Sequence, residues 1–339
     1  MPPAIERNVS LAPFSTFGVD VRASHFAHIR REAELAEVLN DASVAGLPRL
    51  VLGGGSNVLF TDDFHGLVLK IGIPGYERVG ELAGRHHVRI GSGEDWHHTV
   101  ERLLGDGLAG VENLALIPGS AGAAPIQNIG AYGVELAERF GSLEAFDLAN
   151  GVRVTFDADA CCFGYRDSVF KHRPGRYVIV ALTLALPAEW RAVIGYADVE
   201  NELRPRGVDQ PGPRDVFNAV VAIRRRKLPD PAQVGNAGSF FKNPVVSRQF
   251  RNELIEHHPS MVSYDIGGGR YKLAAGWLIE ACGLKGYARG RAAVYERQAL
   301  VLVNRGGATG AELLQLAREV QERVRQKFGI ALEPEPLIV

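Results

Sequence analysis

Cysteine is scarce in this 339-residue sequence: Cys161 and Cys162 are adjacent and Cys282 stands far from both. Three such residues cannot build a disulfide framework, and they lack the spaced pairs of a zinc site. A reducing, cytoplasmic compartment and no bound metal are therefore expected. Excess charge is missing too, because 38 lysines and arginines face 39 aspartates and glutamates, for a net charge of -1. Nothing in that balance creates an overall field for nucleic acid or an anionic membrane, so neither is expected as a partner. Long apolar runs are also absent. The longest, VIVALTLAL from Val178, is about half the roughly 20 residues that a membrane helix needs, and the start MPPAIERNVSLAP has no signal-peptide core. No lysine follows a glycine as in a P-loop, and H-E-x-x-H and G-x-S-x-G do not occur.

What is present is an ordinary globular balance, 46% hydrophobic and 23% charged, with one surplus: 39 of 339 residues are glycine. That share, about 11.5%, exceeds the usual roughly 7% and suggests many turns or close approach of backbone to a ligand. The length predicts two domains, or three small ones. Apolar residues at Leu35, Val38, Leu39 and Ala42 predict a helix over Glu32 to Ala45, followed by a strand, Arg49 to Leu52, that runs into GGGSN. Further helices are expected from Asp95, over Pro213 to Arg226, Ser247 to His258 and Lys272 to Cys282, and at the C-terminal end. There Thr309 and Glu312 form a capping box and Gly329 stands at C′. Asn150-Gly151 predicts a hairpin, VIVALTLAL a buried strand and Ala299 to Asn304 another. The sequence reads as α+β with α/β elements, and Pro205 to Pro213 as a linker or loop.

Several motifs admit two readings. Gly105-Asp-Gly107-Leu-Ala-Gly110 matches the dinucleotide fingerprint, but these glycines end a helix, which predicts a turn. Gly53, Gly54 and Gly55 after a strand are either a tight turn or a backbone nest for a diphosphate. The second glycine run, Gly119 to Gly133, adds Gln127, Asn128 and Tyr132, and two such loops together favour a nucleotide cofactor. Arg166, beside Asp167, reads from its neighbours as a surface salt bridge. Ser239 reads as a cap or turn, and Glu335, in LEPEP, as an acid on a stiff tail. The pairs His86-His87, His97-His98 and His257-His258 read as solvated. Arg224 to Lys227 is a basic helix end, solvated or binding phosphate.

Taken in order, FSTFGVDVRA, LVLGGGSNVLF, ENLALIPGSAGAAPIQNIGAYGVE, FGYRDSVFK, RKLPDP, GNAGSFFKNPVV, KLAAGWLIEACGLKG and LEPE resemble the UDP-N-acetylenolpyruvoylglucosamine reductase family from about Phe14 to Glu335. The resemblance implies an FAD-binding fold of the vanillyl-alcohol oxidase type plus a smaller substrate domain. Its division here would be 1–73 with 325–339, then 74–210, then 211–324. Some proteins of that fold attach FAD through a histidine near the glycine loop; Ser56 and Asn57 stand there in this chain, so noncovalent FAD is expected. Implied cofactor contacts are Gly53, Gly54, Gly55, Ser56, Asn57, Pro118, Gly119, Ser120, Gly122, Asn128, Gly130, Tyr132 and Gly133.

The implied chemistry passes hydride from NADPH to the flavin and then from flavin N5 to C3 of an enolpyruvyl ether on a UDP-sugar, with a proton added at C2. Arg166 and Glu335 would stabilise the enolate and Ser239 would give the proton. Tyr196 would cover the substrate, and Lys227, Asn243 and Gln298 would hold it. Small departures are Pro336 after Glu335 and Tyr295 where the family commonly has histidine. A monomer is expected. The rival expectations are another FAD-linked oxidase or dehydrogenase of the same fold and a noncatalytic nucleotide-binding module.

Overall fold

The computed structural model describes residues 4–208 and 210–339, so Asp209 of the expected linker lies outside the described residues, as do the first three residues of the expected 1–73 subdomain. The chain divides into two compact units. One holds the described residues up to Val9 with Ala23–Gly55 and Phe64–Arg226, and the other holds Ser10–Arg22, Ser56–Asp63 and Lys227–Val339. The passage from the first to the last of these segments falls at Arg226 and Lys227, inside the Pro213–Lys227 helix and beyond the proline-glycine segment.

The first unit contains two sheets. Strands Arg22–Ile29 and Arg49–Leu52 both pair in parallel with Phe64–Ile71, and Ile5–Ser10 lies outside Arg22–Ile29. A parallel pair needs a crossover, supplied here by the helix Glu32–Leu39, which buries Leu35 and Val38. This helix is shorter than its apolar pattern predicts, because the chain tightens into a 3-10 turn at Ala42–Val44. The other sheet is antiparallel, in the order Val152–Phe156, Phe140–Asp147, Tyr177–Pro187, Arg85–Gly91, Tyr76–Leu82. Its central strand is the VIVALTLAL run, apolar on both faces because both are covered. Gly151 turns the expected hairpin at φ +69°, a conformation that glycine adopts without strain, and Asp147 pairs with Val152 across it. Helices Trp96–Gly105 and Pro213–Lys227 share the main core of this unit, with Trp96, Val100, Leu103, Val216, Val220 and Ile223 buried. Gly105 is the last residue of its helix and Gly107 has φ +75°, so the apparent dinucleotide fingerprint is a helix-ending turn.

In the second unit, Gly235–Ser239, Val301–Asn304, Ala292–Val294 and Ala288–Arg289 form an antiparallel sheet in that order. A smaller sheet of Val245–Ser247, Arg270–Leu273 and Ser263–Asp265 lies with the helices Arg248–His257 and Ala275–Ala281. The helix expected from Lys272 is corrected here: Arg270–Leu273 is a strand, and helix begins only at Ala275. Lys272 and Leu273 pair with Tyr264 and Ser263, and those ladder bonds outweigh helical propensity.

The Gly310–Phe328 helix has the expected caps. Thr309 Oγ1 accepts from Glu312 N at 3.1 Å, Glu312 Oε2 accepts from Thr309 N at 2.8 Å, and Gly329 closes the helix at φ +68°. Thr309→Ala is expected to lower stability by about 1 kcal/mol, read as a shift of the urea midpoint at unchanged m-value. An unchanged midpoint would mean that packing alone fixes this helix end.

Candidate active site

The strand Arg49–Leu52 delivers the chain to Gly53, Gly54 and Gly55, and the second glycine loop lies directly against them within the first unit. A Cβ on Gly54 would stand 2.6 Å from the Cα of Gly119, one on Gly53 would meet Ser120 Oγ at 2.7 Å, and one on Gly122 would meet the Cβ of Ser92 at 2.4 Å. The glycines therefore let two loops touch backbone to backbone. Adjacent main-chain bonds complete the seam: Trp96 N donates to Gly119 O, Ala121 N to Glu94 O and Gly122 N to Ser92 O. Lys70 Nζ donates to Gly53 O at 2.5 Å, and burial holds its ammonium below the ordinary lysine range. The hydroxyls of Ser92 and Ser120 are buried without a hydrogen-bond partner among the described residues. Such groups call for a partner from outside, and a polar group as long as FAD, lying on exposed main chain, fits this cradle. Pro118 is partly buried in the same loop.

Beyond the loop, Asn128 closes a 3-10 helix at φ +42°. Its Nδ2 donates to Glu135 Oε2 and Gly164 O, and its Oδ1 accepts from Ala137 N, so the side chain is spent on holding three segments together. Arg166, itself left-handed at φ +54°, donates to the carbonyls of Asn128 and Gly130. Gly130 makes room for this, since a Cβ there would stand 2.9 Å from Arg166 Nη1. Arg166 thus reaches inward to main-chain carbonyls, and the neighbouring Asp167 carboxylate takes His172 Nε2 at 2.8 Å. Tyr132, left-handed at φ +48°, is followed by Gly133 at φ +87°; it meets Tyr196 edge-on at 5.5 Å between ring centroids. Burial pushes the Tyr132 phenol up, and a hydrogen bond from Arg224 opposes that rise. Tyr196 is the N-cap of the helix Ala197–Leu203 and is 38% exposed.

Within the second unit, Ser239 ends the strand Gly235–Ser239 opposite Val301. Glu335 N donates to Phe240 O at 2.8 Å and Lys242 N to Glu333 O at 2.9 Å, so the tail runs alongside the Ser239 segment. The same tail is anchored by Asn57, whose Nδ2 donates to Glu335 O at 3.2 Å and whose carbonyl accepts from Leu337 N. Leu337–Ile338 then pairs in parallel with Val58–Leu59, directly after Ser56 and Asn57. Pro336 is buried, and the bonds on either side of it fix the course of the main chain at Glu335. Asn243 Oδ1 accepts from Ala275 N at 2.9 Å, and Gln298 Oε1 lies 2.9 Å from where a Cβ on Gly276 would be. Both amides thus gather at the start of the Ala275–Ala281 helix. Lys227 is the last, partly buried residue of the Pro213–Lys227 helix. The structure thus brings Ser239 together with Glu335, Asn243 with Gln298, and Arg166 with Asn128 and Gly130.

Arg224, read from sequence as solvated or phosphate-binding, and His97, read as solvated, are structural partners. Arg224 Nε donates to Leu116 O at 3.2 Å, and His97 stacks flat on Phe217 at 5.5 Å while its Nδ1 accepts from Leu116 N at 3.1 Å. An adjacent histidine pair in sequence gives no sign of this, because the contacting amide lies 19 positions away. Among the described residues, no cluster of three or more histidines, cysteines or acids could hold a metal ion.

A pair of abutting glycine loops on an α+β unit, with buried hydroxyls at their seam, fits a flavin nucleotide. Residues 23–157 match the FAD binding domain model, and residues 230–339 match the model described as UDP-N-acetylenolpyruvoylglucosamine reductase, C-terminal domain. The chain belongs to the UDP-N-acetylenolpyruvoylglucosamine reductase family. It is 52% identical to the reductase of that name from Ralstonia nicotianae, over 99% of each chain, and 57% identical to that from Burkholderia multivorans, over 96% of this chain and 95% of the other. The crystal structure of UDP-N-acetylenolpyruvylglucosamine reductase from Thermus caldophilus covers 99% of both chains with a TM-score of 0.69 at 24% identity, a likeness of fold. The chain is accordingly an FAD-dependent oxidoreductase of peptidoglycan precursor synthesis.

Proposed function

We propose that this chain uses NADPH to reduce the enolpyruvyl ether of UDP-N-acetylglucosamine enolpyruvate to UDP-N-acetylmuramate, as a cytoplasmic monomer. The observation that carries the residue assignment is the pairing of Glu335 N with Phe240 O, which sets the proposed acid Ser239 and the proposed carboxyl Glu335 on adjoining stretches of chain. FAD, held by the two glycine loops, would supply the two-electron chemistry that links NADPH to C3 of the ether. Negative charge then gathers at C2 and on the substrate carboxylate. The Arg166 guanidinium is the group proposed to face that charge, worth several kcal/mol when preorganised. Ser239 Oγ gives its proton to C2, which completes the addition of two hydrogens across the double bond. Glu335 acts protonated or shares a proton with the enolate, since a bare carboxylate would repel it. Lys227 is suited to the diphosphate, and Asn243 and Gln298 to the sugar and uracil end.

The cofactor assignment extends along Gly53 to Asn57 and from Pro118 to Gly133, with Asn128 and Gly130 serving through the shape they give the loop. The three-part division proposed from sequence has support in two features. The sheets of the first unit separate near residue 73, and the strand Leu337–Ile338 pairs with Val58–Leu59 of the 1–73 segment.

The test is NADPH oxidation with and without UDP-N-acetylglucosamine enolpyruvate, together with anaerobic bleaching of the flavin by NADPH alone. Bleaching without turnover of that ether would leave another flavin oxidoreductase, and no bleaching would leave a nucleotide-binding module. Tyr196→Phe keeps the ring against Tyr132 and removes only the hydroxyl. It is expected to raise KM for the UDP-sugar by about tenfold, the worth of one good hydrogen bond, while flavin reduction by NADPH stays near wild type. Equal damage to both half-reactions would place the tyrosine at the flavin instead.

A further inference from the structure

Leu116 is a non-glycine residue held at φ +59°, a left-handed conformation that a leucine seldom adopts without outside help. It stands three residues before Gly119. Its two main-chain polar groups are both engaged by side chains from different helices. His97 Nδ1, on Trp96–Gly105, accepts from Leu116 N at 3.1 Å, and Arg224 Nε, on Pro213–Lys227, donates to Leu116 O at 3.2 Å. Trp96 Nε1 adds a third hold by donating to Leu114 O at 2.9 Å. The face of Phe217 lies against the imidazole, the two ring planes nearly parallel at 5°.

We propose that His97 is a positioning residue: neutral and Nε2-protonated, it clamps Leu116 with Arg224 and so aims the Ile117–Gly122 segment that lines the flavin cradle. The inference rests on the assignment of that loop to FAD. The clamp requires a lone pair on Nδ1. Once the ring is protonated, Nδ1–H faces Leu116 N–H, and two donors oppose each other.

The surroundings keep the ring neutral at pH 7. Burial pushes its pKa below the ordinary histidine value, and His98 on the same helix and Arg225 on the facing helix push the same way, against Glu101 and Asp95. Because the folded-state pKa is depressed, the clamp is complete above the unfolded value and is lost as pH falls through the folded one. The expected window therefore lies below the ordinary histidine pKa.

The test compares wild type with His97→Asn, whose Oδ1 can stand in for Nδ1 without titrating, and His97→Phe, which keeps the stack on Phe217 and removes the acceptor. Two readouts are taken: amide exchange of the 114–120 segment, and FAD dissociation followed by flavin fluorescence. Wild type is expected to lose FAD affinity by about tenfold as pH falls from about 7.5 to the acid side of the ordinary histidine range, the worth of one hydrogen bond. His97→Asn should bind FAD with a flat pH profile, and His97→Phe weakly throughout, with faster exchange at Leu116. The same pH profile in wild type and His97→Asn would overturn the proposal, as would unchanged exchange in His97→Phe. If His97→Phe does not fold, the pH comparison with His97→Asn still decides. Faster exchange at unchanged FAD affinity would uphold the clamp at Leu116 and overturn its link to the flavin, while leaving the reductase activity itself untouched.

Discussion

Ser239→Ala is expected to fold, retain FAD and accept hydride from NADPH at the wild-type rate, while reduction of the enolpyruvyl ether slows by about 10²- to 10⁴-fold, the usual cost of a missing general acid. The separation follows from where the residue sits. Ser239 is held by its main chain, opposite Val301, and Phe240 N donates to Leu300 O, so truncation at Cβ leaves the strand intact. Flavin reduction needs no proton at C2 of the second substrate. Ser239→Cys carries a transferable proton and should recover part of the lost rate. Stopped-flow traces of each half-reaction separate the outcomes. Undiminished reduction of the ether by Ser239→Ala would end the acid role, and loss of flavin reduction would move the residue into the cofactor site.

Gly54→Ala is expected to empty the protein of flavin and to cost about 1–3 kcal/mol of stability, as overpacking does. The added methyl would face Gly119 Cα at 2.6 Å, Gly119 C at 3.0 Å and Ser120 N at 3.1 Å, all main-chain atoms that cannot swing aside. A matched control is Gly105→Ala, where a Cβ meets nothing within 4 Å; it should keep full flavin content and a melting temperature no lower than wild type, since alanine suits a helical position better than glycine does. Should Gly54→Ala retain its flavin, the seam between the two loops would be no part of the cofactor site.

Much of this was legible in the sequence, and the pattern of success has a physical cause. The Asn150-Gly151 hairpin, the Thr309 capping box and the helix stop at Gly105 are all written in residues within a few positions of each other, where local sterics decide. The two glycine runs were legible as a pair, though not for the whole reason. Some of those glycines are required because the loops pack on each other, a fact that joins positions some 65 residues apart, such as Gly54 and Gly119. The hold of His97 and Arg224 on Leu116 was not legible, His97 being read as solvated and Arg224 as solvated or phosphate-binding, because Leu116 lies on a separate loop and no periodicity within a helix reports a bond to it. Lys272 was read as helical because KLAAGWLIEAC has helical spacing, while the ladder that captures its first residues is made with Ser263–Asp265 and Val245–Ser247, which lie outside that stretch.

The left-handed residues gathered in the first unit set a limit on protein engineering. Leu116, Asn128, Tyr132 and Arg166 all adopt positive φ without being glycine, at about 1–2 kcal/mol each for an ordinary side chain. Selection for heat resistance alone would be drawn to these positions, because glycine relieves the strain in the folded chain. Yet each of them fixes a loop or carries a group used in the proposed chemistry, so relaxed variants should emerge sturdier and slower. A library meant to harden this enzyme should therefore hold these four positions constant and search for its gains elsewhere.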